Sequence, residues 1–288
     1  MNYQIIKNYR TDNVLRESFN RLAKITFGLD FEQWYKNGYW NDKYIPYSVV
    51  ADGKVISNVS VNLIDCNIMG KNKRYIQLGT VMTDSEYRNR GYISLLMKKI
   101  MHDFSECDGF FLYANDSVKE FYPKFGFRKA EEFRFRMHIN TENNKMTARH
   151  IPMENKKDWD LFLREKNKRK SAGRVKLDTD DLIMFYLTQY MKNNVYFLKA
   201  SDCIVIAEKE GEILTVYDIF CSTDVDIVSV CSAFGEDIEK VEFAFTPENI
   251  ERLKKYKYYE EDCTFFILGE TIERDMKNIC AFPAIAHA

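Results

Sequence analysis

The chain lacks what would carry it into or across a membrane. No apolar run approaches the about 20 residues of a membrane helix, and the opening MNYQIIKNYRTDN has no stretch apolar enough for a secretory signal. A disulfide or zinc framework is missing too. The seven cysteines are odd in number with no C-x-x-C pair, and the four histidines are scattered. Net charge is nearly absent: 42 Lys and Arg against 43 Asp and Glu leave −1, so the chain as a whole does not attract nucleic acid or anionic lipid. These absences predict a soluble cytoplasmic protein with reduced thiols and no metal.

What is present is core-forming material. Apolar residues are 45% and charged residues 30% of 288, which excludes a disordered, collagen-like or coiled-coil chain. The length fits one large domain or two ordinary ones of about 100–150 residues. The first half alternates element types. Tyr3–Lys7 reads as a strand and Val14–Phe27 as a helix, with Leu15, Phe19, Leu22 and Ile25 along one stripe. After the aromatic stretch Phe31–Tyr47 come Tyr47–Ala51 and Val55–Cys66, split by Asp52-Gly53, a two-residue hairpin signal. A turn at Lys71–Lys73 and a strand Tyr75–Thr83 complete an antiparallel meander.

The period then changes. Ile93, Leu96, Met97, Ile100 and Phe104 share one helical face. Gly109–Tyr113 follows as a buried strand, Asp116–Phe125 as a short helix closed by Gly126, and Phe127–Ile139 as a final strand. If Tyr75–Thr83 and Gly109–Tyr113 share a sheet, their connection is a right-handed parallel crossover. From Thr141 to Lys176 the chain is polar. Arg164, Lys166, Lys168, Arg169, Lys170, Arg174 and Lys176 stand against Glu165 without interleaved aromatics to stack bases, so this reads as a linker and a solvated helix. Strands at Val195–Ala200, Cys203–Glu208 and Leu214–Phe220, a helix from Asp224, a strand Val241–Phe245 and a helix from Pro247 then repeat the order of the first half.

Arg88-Asn89-Arg90-Gly91-Tyr92-Ile93 stands between a strand and an amphipathic helix. First-turn N–H groups there have no intrahelical partners, and a helix N-terminus carries about half a positive charge, so the position suits phosphate. Gly91 lets the backbone approach an anion, and the two arginines add directional donors. Taken alone, the same residues also describe a surface turn. The second element is Asn115, Tyr122 and Phe125-Gly126-Phe127, on the next strand-to-helix turn. No cysteine has a histidine at a spacing that marks a nucleophilic pair.

Together, VMTDSEYRNRGYISLLMKKI and NDSVKEFYPKFGF resemble the GNAT superfamily of acyl-CoA-dependent N-acyltransferases, whose pattern is R/Q-x-x-G-x-G/A and then N-x6-Y-x3-G-F. The clear match covers about Tyr75 to Phe127, and element order extends it to about residues 1–140. Ile93 departs from the pattern, where Gly or Ala is usual. The resemblance implies an α/β chain with mixed sheets: a GNAT catalytic domain at residues 1–145 and a degenerate GNAT-like domain at 146–288 that helps build the acceptor cleft. In this second half no R-x-x-G precedes the helix, Asp224 and Asp226 oppose pyrophosphate, and Lys254 falls opposite Tyr122. A sterol-carrier-like or unrelated α+β domain is the alternative there.

The resemblance further implies acetyl-CoA as cosubstrate. Val81, Met82 and Thr83 would offer backbone groups to pantetheine, and Arg88, Asn89, Arg90, Gly91, Tyr92, Ile93 and Ser94 would hold the pyrophosphate. Asn115 would steady the arm with Ser117 and Val118 nearby, and Tyr122 would protonate the departing thiolate. In two-domain relatives of the enhanced-intracellular-survival type the terminal carboxylate returns to the site, so Ala288 is a candidate base, with His287 behind it. Trp34, Tyr35, Tyr39 and Trp40 are candidates for the acceptor wall, where cation–π attraction suits an amine, although such rings also fill cores. The implied acceptor is a small-molecule or peptide amine, with neither nucleic acid nor membrane as partner. Its identity and the oligomeric state are not legible. The alternative function is a non-catalytic acyl-CoA sensor.

Overall fold

Asp52 and Gly53 both adopt positive φ, 49° and 72°, and fold one strand back on the next as their residue types allow. The computed structural model describes residues 2–139, 147–178 and 180–287. In chain order the first half holds β1 (Gln4–Lys7), α1 (Asn13–Phe27), α2 (Glu32–Lys36), β2 (Tyr44–Ala51), β3 (Lys54–Ile68), β4 (Lys71–Thr83), α3 (Tyr92–Asp103), β5 (Gly109–Ala114), β6 (Arg128–Lys129) and β7 (Glu132–His138). Next come β8 (Arg149–His150), α4 (Lys156–Lys166), β9 (Lys170–Ser171), β10 (Val175–Leu177), α5 (Asp181–Gln189), β11 (Val195–Leu198) and β12 (Cys203–Glu210). The chain finishes with β13 (Ile213–Cys221), α6 (Ile227–Ser232), β14 (Lys240–Phe243), β15 (Lys254–Tyr258), β16 (Thr264–Leu268) and α7 (Glu270–Ile279).

Two mixed sheets result. The first runs β1-β2-β3-β4-β5-β16-β6, with β10 added to β3, and the second runs β15-β7-β14-β13-β12-β11-β8, with β9 added to β13. The meander β2-β3-β4, helix α3 and parallel strand β5 recur as β11-β12-β13, α6 and parallel β14, so the two units share one order. Three strands cross the 145/146 line: β10 joins the first sheet at β3, and two more are inserted within a sheet. β7 lies between β15 and β14 in the second sheet, and β16 lies between β5 and β6 in the first.

The helical face read from the sequence packs under the first sheet: Leu96, Met97 and Ile100 of α3 lie against Val59, Val61 and Leu78. Between the sheets Phe111 stacks on Phe282 at 4.2 Å.

Three readings are corrected. The turn before β4 is Met69-Gly70, both at positive φ, and Lys71–Lys73 already belong to the strand. Asp116–Phe125 is not one helix but two 3-10 turns, Asp116–Val118 and Tyr122–Phe125, the second containing Pro123, which has no N–H for a helical ladder. No helix follows Pro247; Lys254 instead opens strand β15. Helix α5 carries no amphipathic signature in the sequence, because six of its nine residues are buried and its apolar character wraps around it, leaving no stripe.

Candidate active site

The site begins with a flaw in strand pairing. β4 and β5 are paired only from Tyr75–Gly109 to Leu78–Leu112, although β4 continues to Thr83 and β5 to Ala114. On the other edge of β4 the register jumps from Ser60–Gly79 to Asn58–Met82, so Thr80 and Val81 oppose Val59 alone. Thr80 takes φ 48° at this bulge. Bulges sharpen local twist, which here carries β4 away from β5. Past Leu78 the edge of β4 that would face β5 has no strand partner among the described residues, which leaves its backbone groups for a ligand. A cavity of about 550 Å³ occupies the split.

At one mouth stands the first turn of α3. Gly91 caps it at φ 78° with no side chain bonding the turn, Asn89 precedes it at φ 61°, and the helical ladder starts only at Leu95 N–H to Gly91 O, 3.1 Å. The N–H groups of Gly91 to Ser94 are therefore free for an anion. Arg88 Nε reaches Thr83 O at 3.4 Å, and Arg90 Nη2 donates to Glu86 O at 2.9 Å with its guanidinium over the Tyr87 ring. Val81, Met82, Thr83 and all seven residues Arg88–Ser94 line the cavity. Ile93 both lines it and rests on the core beneath the sheet, so its bulk is absorbed by packing.

Tyr122 lines the same cavity, held between Phe121, Phe127 and Phe266 with ring centroids 5.4, 6.2 and 5.8 Å away. Burial pushes its phenol up to about 12, so at neutral pH it is a proton donor. Asn115 and Val118 also line the cavity; Ser117 is not among the lining residues. Asn115 Nδ2 donates to Asp262 Oδ2 at 2.7 Å, and Asp116 N–H donates to Asp262 Oδ1 at 2.6 Å. Asp262 was not singled out from sequence, and no local signal marks it.

The other mouth is aromatic. Trp34 lines it, anchored by its indole N–H donating to Asp181 O at 2.9 Å, beside Phe31, Tyr44, Leu182 and Phe185. Phe31 and Phe185 stack at 5.5 Å, so α5 of the second half closes the wall. Asn62 also lines this space. Its Nδ2, both amide atoms of neighbouring Gln77 and Asp181 Oδ1 are buried without hydrogen-bond partners among the described residues.

Tyr35, Tyr39 and Trp40 lie outside the lining, a correction to the expected acceptor wall. Tyr35 lies under the Arg16 guanidinium at 3.9 Å, Tyr39 meets Trp159 edge-on, and Trp40 is buried with its N–H donating to Tyr44 O. Helix α2 is a single turn, so only one of its rings can face the cavity.

His287 reaches the site from the far end of the chain. Its ring stacks on cavity-lining Tyr113 at 3.9 Å, and burial pushes the imidazole down to about 3, keeping it neutral. Ala288 lies outside the described residues.

Residues 13–130 match the family model for the acetyltransferase (GNAT) domain, and this part of the chain is such a domain. The whole chain has the fold of two-domain GNAT structures. It superposes on a conserved protein of unknown function from Enterococcus faecalis V583 (TM-score 0.60, 14% identity, 93% of this chain and 71% of that one). It does so also on a GCN5-related N-acetyltransferase from Kribbella flavida (0.58, 15%, 92% and 70%) and on Eis1 from Mycobacterium abscessus (0.54, 10%, 92% and 72%). No curated protein matches the chain at a significant level. Among the described residues, no helix is long and apolar enough to cross a membrane.

Proposed function

We propose that the chain is an N-acetyltransferase that passes an acetyl group from acetyl-CoA to a primary amine by direct attack. The observation that carries this reading is the β4–β5 split with the uncapped turn of α3 and Tyr122 on one cavity. The residues fit the cosubstrate. Free N–H groups at Gly91–Ser94 with Arg88 and Arg90 suit a pyrophosphate, and the unpaired edge at Val81–Thr83 suits the amides of pantetheine. Acetyl-CoA supplies an activated thioester, and the chain supplies position and protons.

In this reading Asn115, fixed by Asp262, steadies the cofactor arm beside Val118 and Ser117. The Tyr122 phenol gives its proton to the leaving thiolate, whose conjugate acid has a pKa of about 8.5. The acceptor enters from the Trp34–Phe185 side, where ring faces attract a cation and the unpartnered amide nitrogen of cavity-lining Asn62 meets a polar group on it. The residue 146–288 unit contributes α5 to this wall, which makes the acceptor cleft a product of both units.

A CoA-release assay over a panel of amines tests the reading. Turnover by the wild type and a loss of about 100-fold in Tyr122→Phe are expected. Calorimetric binding of acetyl-CoA without turnover on any amine points instead to an acyl-CoA sensor.

A further inference from the structure

We propose that Glu132, acting through the phenol of Tyr113, takes the proton that the acceptor ammonium must lose before it attacks. The inference rests on the acyltransferase reading and adds the base that reading leaves unnamed.

The placement of the two residues carries it. Along β5, Phe110, Leu112 and Ala114 point into the core shared with α3 and Tyr122, whereas Phe111 and Tyr113 lie on the opposite face. Tyr113 is the first residue beyond the last β4–β5 pair and lines the cavity. Proton donor and proton acceptor thus stand on opposite faces of β5 where the split opens, as a reaction that protonates a thiolate on one face and deprotonates an ammonium on the other requires. Tyr113 O–H donates to Glu132 Oε1 at 2.9 Å. Its ring is clamped between His287 at 3.9 Å and Phe265 at 5.0 Å, which fixes the phenol.

Glu132 belongs to β7, the strand that the first half places in the second sheet. It is 8% exposed, and among the described residues no Lys, Arg or His lies within ion-pair distance of it. The groups facing it come from several elements. Arg134 on its own strand favours the ionised form but is stacked on the Tyr258 ring at 3.4 Å, and Glu260 opposes ionisation. Tyr258 is its register partner on β15, Cys263 of the loop before β16 acts on it electrostatically, and its partner Tyr113 is covered by neutral His287, whose carbonyl accepts from Tyr186 of α5. Burial prevails and pushes the carboxyl up to about 7, where it can accept a proton and release it again.

The protons balance. An N–H bond of the ammonium breaks with its electron pair left on nitrogen, and the proton goes to Tyr113 Oη as the Tyr113 proton passes to Glu132 Oε1. The neutral amine attacks the thioester carbonyl. Nitrogen's second proton replaces the one Tyr122 gives the thiolate, so one proton leaves overall, from Glu132 to solvent.

Glu132→Gln and Tyr113→Phe test this. With an alkylamine, the wild-type kcat/KM is expected to rise with pH and level near 7. Glu132→Gln is expected to lose about 100-fold and this inflection, with acetyl-CoA affinity by calorimetry and thermal unfolding near wild type. The deficit shrinks for a weakly basic amine already neutral at pH 7. Independently of activity, infrared difference spectra of wild type against Glu132→Gln should show a carboxylic-acid carbonyl band that disappears as pH is raised through about 7. Turnover by Glu132→Gln with the wild-type profile, or an equal deficit for all amines, overturns the role of Glu132 and leaves the acyltransferase reading standing. A wild type that binds acetyl-CoA but acetylates no amine overturns both.

Discussion

Asp262 and Asn115, 147 residues apart, are joined by a 2.7 Å hydrogen bond, and the same carboxylate accepts from the N–H of Asp116. One exposed side chain of the second half thereby sets the turn after β5 on which Asn115, the residue proposed to steady the cofactor arm, sits. Asp262→Ala is expected to weaken acetyl-CoA binding several-fold in calorimetry while the thermal midpoint stays close to wild type. Equal affinity in the variant would show that Asn115 holds its place without Asp262.

Phe185, with Leu182, is what the second half contributes to the cavity lining proposed as the acceptor wall. Phe185→Ala removes its stack on Phe31 and opens the cavity on that side. The acceptor KM is expected to rise about tenfold, equivalent to about 1.4 kcal/mol of lost contact, with acetyl-CoA affinity preserved. Steady-state kinetics with the cosubstrate saturating provide the measurement.

Gly109 opens β5 beneath α7. A Cβ there would meet Ile272 Cγ2 at 2.8 Å, Ile272 Cβ at 2.9 Å and Leu268 O at 3.0 Å, all in a packed region. Gly109→Ala is expected to destabilise the fold by about 1–3 kcal/mol in urea unfolding, because neither the β-branched side chain nor the backbone can move aside cheaply.

Asp218 on β13 accepts from Ser171 O–H and from the N–H of Ile219, yet burial pushes its carboxyl up to about 7. The folded state therefore holds this proton more tightly than the unfolded chain, whose carboxyl titrates near 4. Asp218 contributes fully to stability below about pH 4 and loses that contribution as pH rises through about 7. Chemical unfolding at pH 5 and pH 8 should show this decline, of order 3 kcal/mol from Asp218 alone. Asp218→Asn, which keeps an acceptor oxygen but cannot ionise, should flatten it. Glu132, also raised to about 7, adds to the decline, whereas His287, held down to about 3, works against it over the same window.

Tyr35, Tyr39 and Trp40 show where sequence reasoning stops. The aromatic stretch announces a ring-rich region, but which ring faces a cavity depends on how a five-residue helix is rotated against β2 and α5. Of the two rings on that helix only Trp34, tied to Asp181 across 147 residues, lines the cavity, with Phe31 and Tyr44 from the flanking segments. Phe185 and Leu182 were out of reach because α5 has no amphipathic stripe to announce it.

The sequence by itself determined what depends on a few consecutive residues. It set the positive-φ turn at Asp52-Gly53, the glycine cap and paired arginines that leave the α3 turn open to an anion, and Tyr122 before the Gly126 stop. These follow from local backbone preferences and the helical period, which neighbours in sequence are enough to specify. Only the tertiary structure decided that β7 and β16 change sheets, that Asp262 steadies Asn115, and that Tyr113 meets Glu132. Those pairings arise when apolar faces from distant segments bury one another, and no local pattern encodes which distant residue will be carried along.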